Sequence, residues 1–374
     1  MNPSYLALDY HLPAHLPRDE RSVIRCRQVC MQLDGWADED FQSGSDMTLF
    51  YDARGNIYGV VSPGYLRNRG VDVPERADLA ARTRKDWASA AIASECGWGA
   101  LPRAADAKAH RCDGLLVGPF QAAPPFDVLI VNTDGTLAER SGNGLTIFSQ
   151  ALTDQGLITH GCELRVHHDN AGTASPLATS AEPAVYEQRA GFWLALGQPM
   201  FGPSAVGACD VDPVAMGARE FSHVAALAVI NRQWARSQFV RVGNPHCVTL
   251  VEHASALPDN QSMHHPSLFE PLQAIAFAPP VGRGQPCLAG VNLQWAARST
   301  RNQVIARVFE RGEGPTASSG TSASAVACAA WRAGWVEAGD VAVVMPGGTA
   351  PVRLQSEGET LLSVSLFGAA RPQA

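Results

Sequence analysis

The stretch LAERSGNGLTIFSQALTDQGLI, residues 137 to 158, is a glycine-rich turn that opens onto an apolar helix, with Ser141 at the turn. A second stretch, TASSGTSASAVACAAWRAGWV, residues 316 to 336, repeats the device. Ser319-Gly320 lies over Ser141-Gly142, Ala329 over Ala151 and Gly334 over Gly156, at one gapless offset of 178 residues. Each helix is apolar nearly all round, the pattern of a helix enclosed by other elements rather than lying on a surface. Two such helices, each preceded by strand-like runs, predict an α+β chain of two similar halves, with strands wrapped about each helix.

The rest of the chain fits that division. At 374 residues it exceeds the size at which one core usually stops growing, so two domains are expected. In the first half, MTLFYDARGNIYGVVSP from Met47 reads as two strands broken at Gly55-Asn56, followed by a helix from Pro74 and the strands DGLLVGPF and FDVLIVNTDG. A Gly/Ala-rich excursion spans residues 96 to 112. The aperiodic, Ala/Ser/Thr/Pro-rich stretch at 171 to 188 is the expected crossing between domains. Beyond it FWLALGQP, FVRVGNPHCVTLVE, GVNLQWAARST and QVIARVFERG lead to the second helix. The expected boundaries are an N-terminal extension over 1–45, with a helix at about Ser22 to Leu33, a first domain over 46–187 plus 360–374, and a second over 188–359.

Composition narrows the function classes. A net charge of −7 without a basic run argues against nucleic acid or an anionic membrane as partner and leaves a small-molecule ligand. Nine scattered cysteines without CxxC pairs fit neither a disulfide scaffold nor a zinc site, and most are expected as buried thiols. Cys26 and Cys30 are four apart but have no nearby residues to complete a metal site. The adjacent pairs His167-His168 and His264-His265 point to opposite faces of a strand and are read as surface residues. No Rossmann or P-loop signature occurs, so no cofactor and no metal are expected. The N-terminus lacks a signal-peptide pattern and no apolar run approaches a membrane span, so a cytoplasmic protein is expected.

The backbone N–H groups in the first turn of a helix lack internal partners and carry the positive end of the dipole. Gly142-Asn143-Gly144 and Gly320-Thr321-Ser322 are therefore suited to hold an anion, and glycine lets it approach closely. If the two starts face each other across a cleft, one carboxylate receives amides from both sides while Ser141 and Ser319 flank the adjacent carbon. Taken singly, each serine is an ordinary helix cap. Two gapless copies favour a site, and so do Asn56, Asn132, Asn244, Asn292, Glu310 and Arg311 on strand-end turns. Together these suit an amino-acid-like ligand, with Arg311 on a carboxylate and Glu310 on an ammonium.

NTDGTLAERSGNG, GNPHCV, GVNLQW and ERGEGPTASSGTSASA, in that order and spacing, resemble the diaminopimelate epimerase family of PLP-independent isomerases. The resemblance covers roughly residues 47 to 370. It implies two pseudo-symmetric α+β domains, each a β-barrel-like sheet around a central helix, with the active site in the cleft between them and, by family habit, a homodimer. It places the family's motif asparagines on Asn56, Asn132, Asn244 and Asn292 and its Glu-Arg pair on Glu310 and Arg311. The helix-start amides fall on Gly142, Asn143, Gly320 and Thr321. The two cysteines that family epimerases use as base and acid fall on Ser141 and Ser319. Ile57 and Leu145-Thr146 are smaller departures.

A cysteine at a helix N-terminus can be a thiolate near neutral pH. A serine hydroxyl, taken as water-like at ~15.7 against about 8.5 for cysteine, costs on the order of 10 kcal/mol more to ionise. Epimerisation by two unassisted serines is therefore not expected. The first reading is an isomerase whose base is another residue, His246 or Glu310, with Ser141 and Ser319 as hydrogen-bond donors. The second is a lyase or dehydratase that needs one base for β-elimination, and the third is a non-catalytic amino-acid-binding protein.

Overall fold

The computed structural model describes residues 47–99, 109–170, 173–216 and 219–373. The extension expected over 1–45, its helix and the pair Cys26 and Cys30 lie outside the described residues, as do residues 100–108 of the excursion.

Fourteen strands carry the architecture. The first half runs β1 (Leu49–Ala53), β2 (Asn56–Val61), β3 (Gly114–Val117), β4 (Phe126–Asn132), β5 (Cys162–Val166), β6 (Leu177–Tyr186) and β7 (Arg189–Gly197). The second runs β8 (Arg236–Val242), β9 (Asn244–Val251), β10 (Asn292–Thr300), β11 (Gln303–Glu310), β12 (Gly339–Met345), β13 (Gly348–Glu357) and β14 (Thr360–Gly368). In the first half β2 is antiparallel to β1 and parallel to β3, β4 is antiparallel to β3 and parallel to β5, and β6 and β7 follow as antiparallel neighbours. The second half repeats this step for step from β8 to β14. The last strand of each half, β7 and β14, pair antiparallel with each other, so one ladder runs through both halves.

Parallel neighbours require a crossover, and helices supply it. The chain passes from β2 to β3 through the short helices Pro63–Asn68 and Ala77–Arg82 and the longer Arg84–Glu95, and from β9 to β10 through Pro266–Ala276. The first central helix, Gly142–Asp154, connects β4 to β5, and the second, Gly320–Arg332, connects β11 to β12. Before each central helix a short strand returns along the preceding one, Leu137–Ala138 on β4 and Gly314–Thr316 on β11. The two central helices therefore start at corresponding places, which is why the sequence offset between them has no gap.

Burial of these helices holds the halves together. Leu145, Ile147, Phe148, Ala151 and Leu152 are fully buried in the first, against β1, β2, β7 and β14. Ala323 and the run Ala325 to Ala330 are fully buried in the second, against β8 to β14. Each large apolar side chain removed from water contributes about 1.5–3 kcal/mol. The small residues of the second helix let its strands approach closely.

Two local expectations are corrected. The helix expected from Pro74 begins at Ala77 and is split at Thr83, whose hydroxyl donates to the Leu79 carbonyl and competes with the helical ladder. His167 and His168 are buried rather than on the surface: His167 Nε2 lies 3.0 Å from Asp127 Oδ1, and His168 Nε2 lies 3.0 Å from the Ala174 carbonyl. A polar partner for each ring offsets the cost of that burial. Among the described residues no helix is long and apolar enough to cross a membrane.

Candidate active site

The two helix starts meet head to head. A Cβ added to Gly142 would lie 3.4 Å from the Gly320 Cα, and one added to Gly320 would lie 3.5 Å from the Gly142 Cα. The same added atoms would come within 2.7 and 2.4 Å of Leu366 Cδ2, so β14 wedges a leucine against both glycines. A side chain at either position would have to displace Leu366. Ser141 and Ser319 are both extended N-caps: Ser141 Oγ accepts from the Gly144 N–H at 3.0 Å and Ser319 Oγ from the Ser322 N–H at 3.4 Å. The first-turn amides of two helices thus converge on one place, where both dipoles favour negative charge.

A cavity of about 710 Å³ opens over this junction. Ser141, Gly142 and Asn143 line it from one half and Ser319, Gly320 and Thr321 from the other. Asn56, Asn132, Asn244 and Glu310 complete the set of expected residues on its wall. Register explains the convergence, since Asn56 and Asn244 open β2 and β9 while Asn132 and Glu310 close β4 and β11. Asn143 Nδ2 donates to Asn56 Oδ1 at 2.5 Å, and the Ile57 N–H donates to Asp113 Oδ2 at 2.9 Å, which fixes the tip of the β1–β2 hairpin. That hairpin turns through Arg54 and Gly55, both at positive φ (55° and 84°), as a tight two-residue loop requires. Asn132 Nδ2 holds Thr136 Oγ1 at 2.9 Å.

Glu310 lies on the cavity wall beside Ser319. Ser319 Oγ donates to its Oε1 at 2.7 Å. Burial, reinforced by the negative charge of Glu313, pushes the Glu310 carboxyl up to about 7, against the opposing pull of the Ser319 hydrogen bond. A carboxylate poised near neutrality suits a general base.

Three expected residues are not on the cavity wall. His246 is fully buried; its Nδ1 faces Gln294 Nε2 at 3.1 Å, and that amide also donates to Ser322 Oγ at 3.0 Å. Burial, with the Arg311 charge adding to it, lowers the imidazole to about 3, so it stays neutral in the interior. Its position does not bring it to a ligand in the cavity. Asn292 accepts the Arg311 N–H at 2.7 Å, and the Arg311 guanidinium donates to the Ala289 carbonyl at 2.9 Å rather than reaching into the cavity.

Sequence reasoning missed Tyr58, Arg54 and Arg140, all on the wall. The Tyr58 side chain shares the cavity wall with Ser141, and burial raises its pKa, with Glu313, Asp113 and Glu310 adding to the rise. The signal was present: Gly55-Asn56-Ile57-Tyr58 lies over Gly243-Asn244-Pro245-His246. In the sheet Tyr58 stands opposite Gly114 in a parallel pair as His246 stands opposite Asn292. Arg140 donates to the Leu196 and Ala178 carbonyls, both at 2.9 Å, and Arg54 to the Phe367 carbonyl at 2.5 Å. Single cationic residues in turns carry no pattern that would have marked them.

Comparison with known proteins agrees with this geometry. The family profile described as Diaminopimelate epimerase matches residues 238–371. Diaminopimelate epimerase of Laribacter hongkongensis is 30% identical over 251 residues, 65% of this chain and 76% of that protein. That of Corynebacterium glutamicum is 30% identical over 241 residues, 63% of this chain and 70% of that protein. Among solved structures, a hydroxyproline epimerase from Agrobacterium vitis superposes with a TM-score of 0.52 at 13% identity, covering 87% of this chain and 90% of that one, a likeness of fold. The chain belongs to the diaminopimelate epimerase family of PLP-independent isomerases.

Proposed function

We propose that this protein is a cofactor-independent isomerase of the racemase/epimerase or proton-shift type. It acts at the carbon next to the carboxylate of an amino-acid-like small molecule, with Glu310 as the base. The observation that carries the reading is the 2.7 Å hydrogen bond from Ser319 Oγ to Glu310 Oε1 at a helix start that faces the other helix start. The substrate carboxylate sits against the first-turn amides of Gly142, Asn143, Gly320 and Thr321, which stabilise the negative charge that develops when the α-proton leaves. Glu310 accepts that proton, and the serines donate hydrogen bonds rather than acting as the base, because a serine alkoxide is too costly to form. The lobes are proposed as 46–187 plus 360–374 and 188–359, an assignment that exchanges the paired end strands β7 and β14 between the two sequence halves, with substrate held between them.

A second reading keeps the cleft and changes the outcome. Glu310 supplies one near-neutral carboxylate, and β-elimination needs only one base. Proton NMR in D2O with a panel of amino acids, diaminopimelate and small hydroxy and unsaturated acids separates the two. Loss of an α-proton signal without a new compound supports the isomerase and should vanish in Glu310→Gln. Release of water or ammonia, or a shifted double bond, moves the assignment to a lyase or an allylic isomerase. No exchange with any compound would overturn the reading.

A further inference from the structure

The two halves correspond strand for strand, so each residue at one serine has a counterpart at the other. Asn56 corresponds to Asn244, Tyr58 to His246, Asn132 to Glu310 and Ser141 to Ser319. The correspondence is broken in a complementary way. At Ser319 the acid–base partner is Glu310, from the end of β11, while His246 turns into the core toward Gln294. At Ser141 the position matching Glu310 is Asn132, an amide that cannot exchange a proton in this range, and its side chain is occupied with Thr136. The residue matching His246 is Tyr58, whose side chain lines the same cavity as Ser141. Each half therefore brings a proton-exchanging side chain to the cavity, supplied from a different strand position.

We infer that Tyr58 and Ser141 form the proton relay for the substrate face opposite Glu310. The inference rests on the isomerase reading above and adds the identity of the second acid. In the forward step the substrate Cα–H bond breaks, its proton goes to the Glu310 carboxylate, and the electron pair delocalises into the substrate carboxylate held by the helix starts. A new Cα–H bond then forms on the other face with the proton of Ser141 Oγ while, in the same step, Ser141 takes the Tyr58 phenol proton, so that no serine alkoxide forms. Glu310 returns its proton to solvent in the cavity, and the Tyr58 oxygen takes one from it. Ser141 touches the substrate, and Tyr58 supplies it. The phenol suits this role because it stays protonated through the neutral range, ready to give a proton; the reverse reaction starts from the protonated Glu310 and the Tyr58 phenolate that the forward step leaves.

The test separates exchange from inversion. Pure L- and D-amino acids, including diaminopimelate isomers, are incubated with the protein in D2O, following α-deuteration by NMR and inversion by chiral chromatography. In Tyr58→Phe, the enantiomer that presents its α-proton to Glu310 should still exchange within about twofold of wild type, while inversion falls at least about a hundredfold, the usual contribution of a positioned acid. Ser141→Ala, which leaves the phenol in place, should give the same split and guards against a fold defect in Tyr58→Phe. KM should change little in both, and the pH profile of the remaining exchange should keep its Glu310 limb. Inversion at the wild-type rate in Tyr58→Phe would overturn the relay and leave the isomerase reading intact. Parallel loss of exchange and inversion in both variants would overturn it as well, by making the pair merely structural. Absence of exchange in the wild-type protein would instead overturn the isomerase reading, and the relay with it.

Discussion

Glu310→Gln should make the protein more stable at alkaline pH while lowering activity by about a hundredfold or more. The carboxyl is pushed from an ordinary 4.5 to about 7, chiefly by burial and then by Glu313. A carboxyl with a raised folded-state value favours folding in its protonated form. The stabilisation is full below the unfolded value, declines as pH rises from about 4.5 and is exhausted above about 7. At about 1.36 kcal/mol per pH unit the whole span is about 3 kcal/mol, of which less than about 1 is lost by pH 5 and nearly all by pH 8. Glutamine has the same shape, its carbonyl can accept the Ser319 hydroxyl, and it does not ionise. The stability gap between variant and wild type should therefore widen by about 2.5 kcal/mol between pH 5 and pH 8. Urea unfolding at both values reads this as a shift in midpoint at constant slope. Activity should rise with pH through the same window, since only the carboxylate can take a proton. A gap that is the same at both pH values would refute the raised carboxyl and with it the case for Glu310 as the base.

Gly320→Ala should destabilise the protein by about 1–3 kcal/mol, because its Cβ meets Leu366 Cδ2 at 2.4 Å; urea midpoints check this, and adding Leu366→Ala should recover part of the loss. His246→Gln should reduce turnover less than about tenfold where Glu310→Gln costs about a hundredfold or more, since the imidazole does not reach the cavity; initial rates on any compound that exchanges decide it. Ser141→Cys combined with Ser319→Cys places thiols where two helix dipoles lower their pKa, and should add diaminopimelate epimerisation detectable by chiral chromatography. Failure of the folded double variant to do so would count against an α-amino acid as substrate.

The sequence by itself determined the two-fold plan. Two serine-glycine helix starts at one offset, with strand-end asparagines before and between them, were enough to expect two α+β halves and an anion site at the helix starts. That information is local: caps, glycines and apolar periodicity act within a few residues. The tertiary structure alone decided which side chains reach the cavity. His246 and Tyr58 occupy matching strand positions, yet Gln294 and the enclosing core hold one in the interior while the other lines the cavity. Glu310 is pushed up to about 7 chiefly by burial among residues brought there by the fold, with the charge of Glu313 adding to it, and that enclosure disfavours its charged form. The approach of Gly142 to Gly320 likewise joins residues 178 positions apart, in halves that the pairing of β7 with β14 links. Burial and the direction of a side chain are properties of the packed neighbours, which no short stretch of this chain contains.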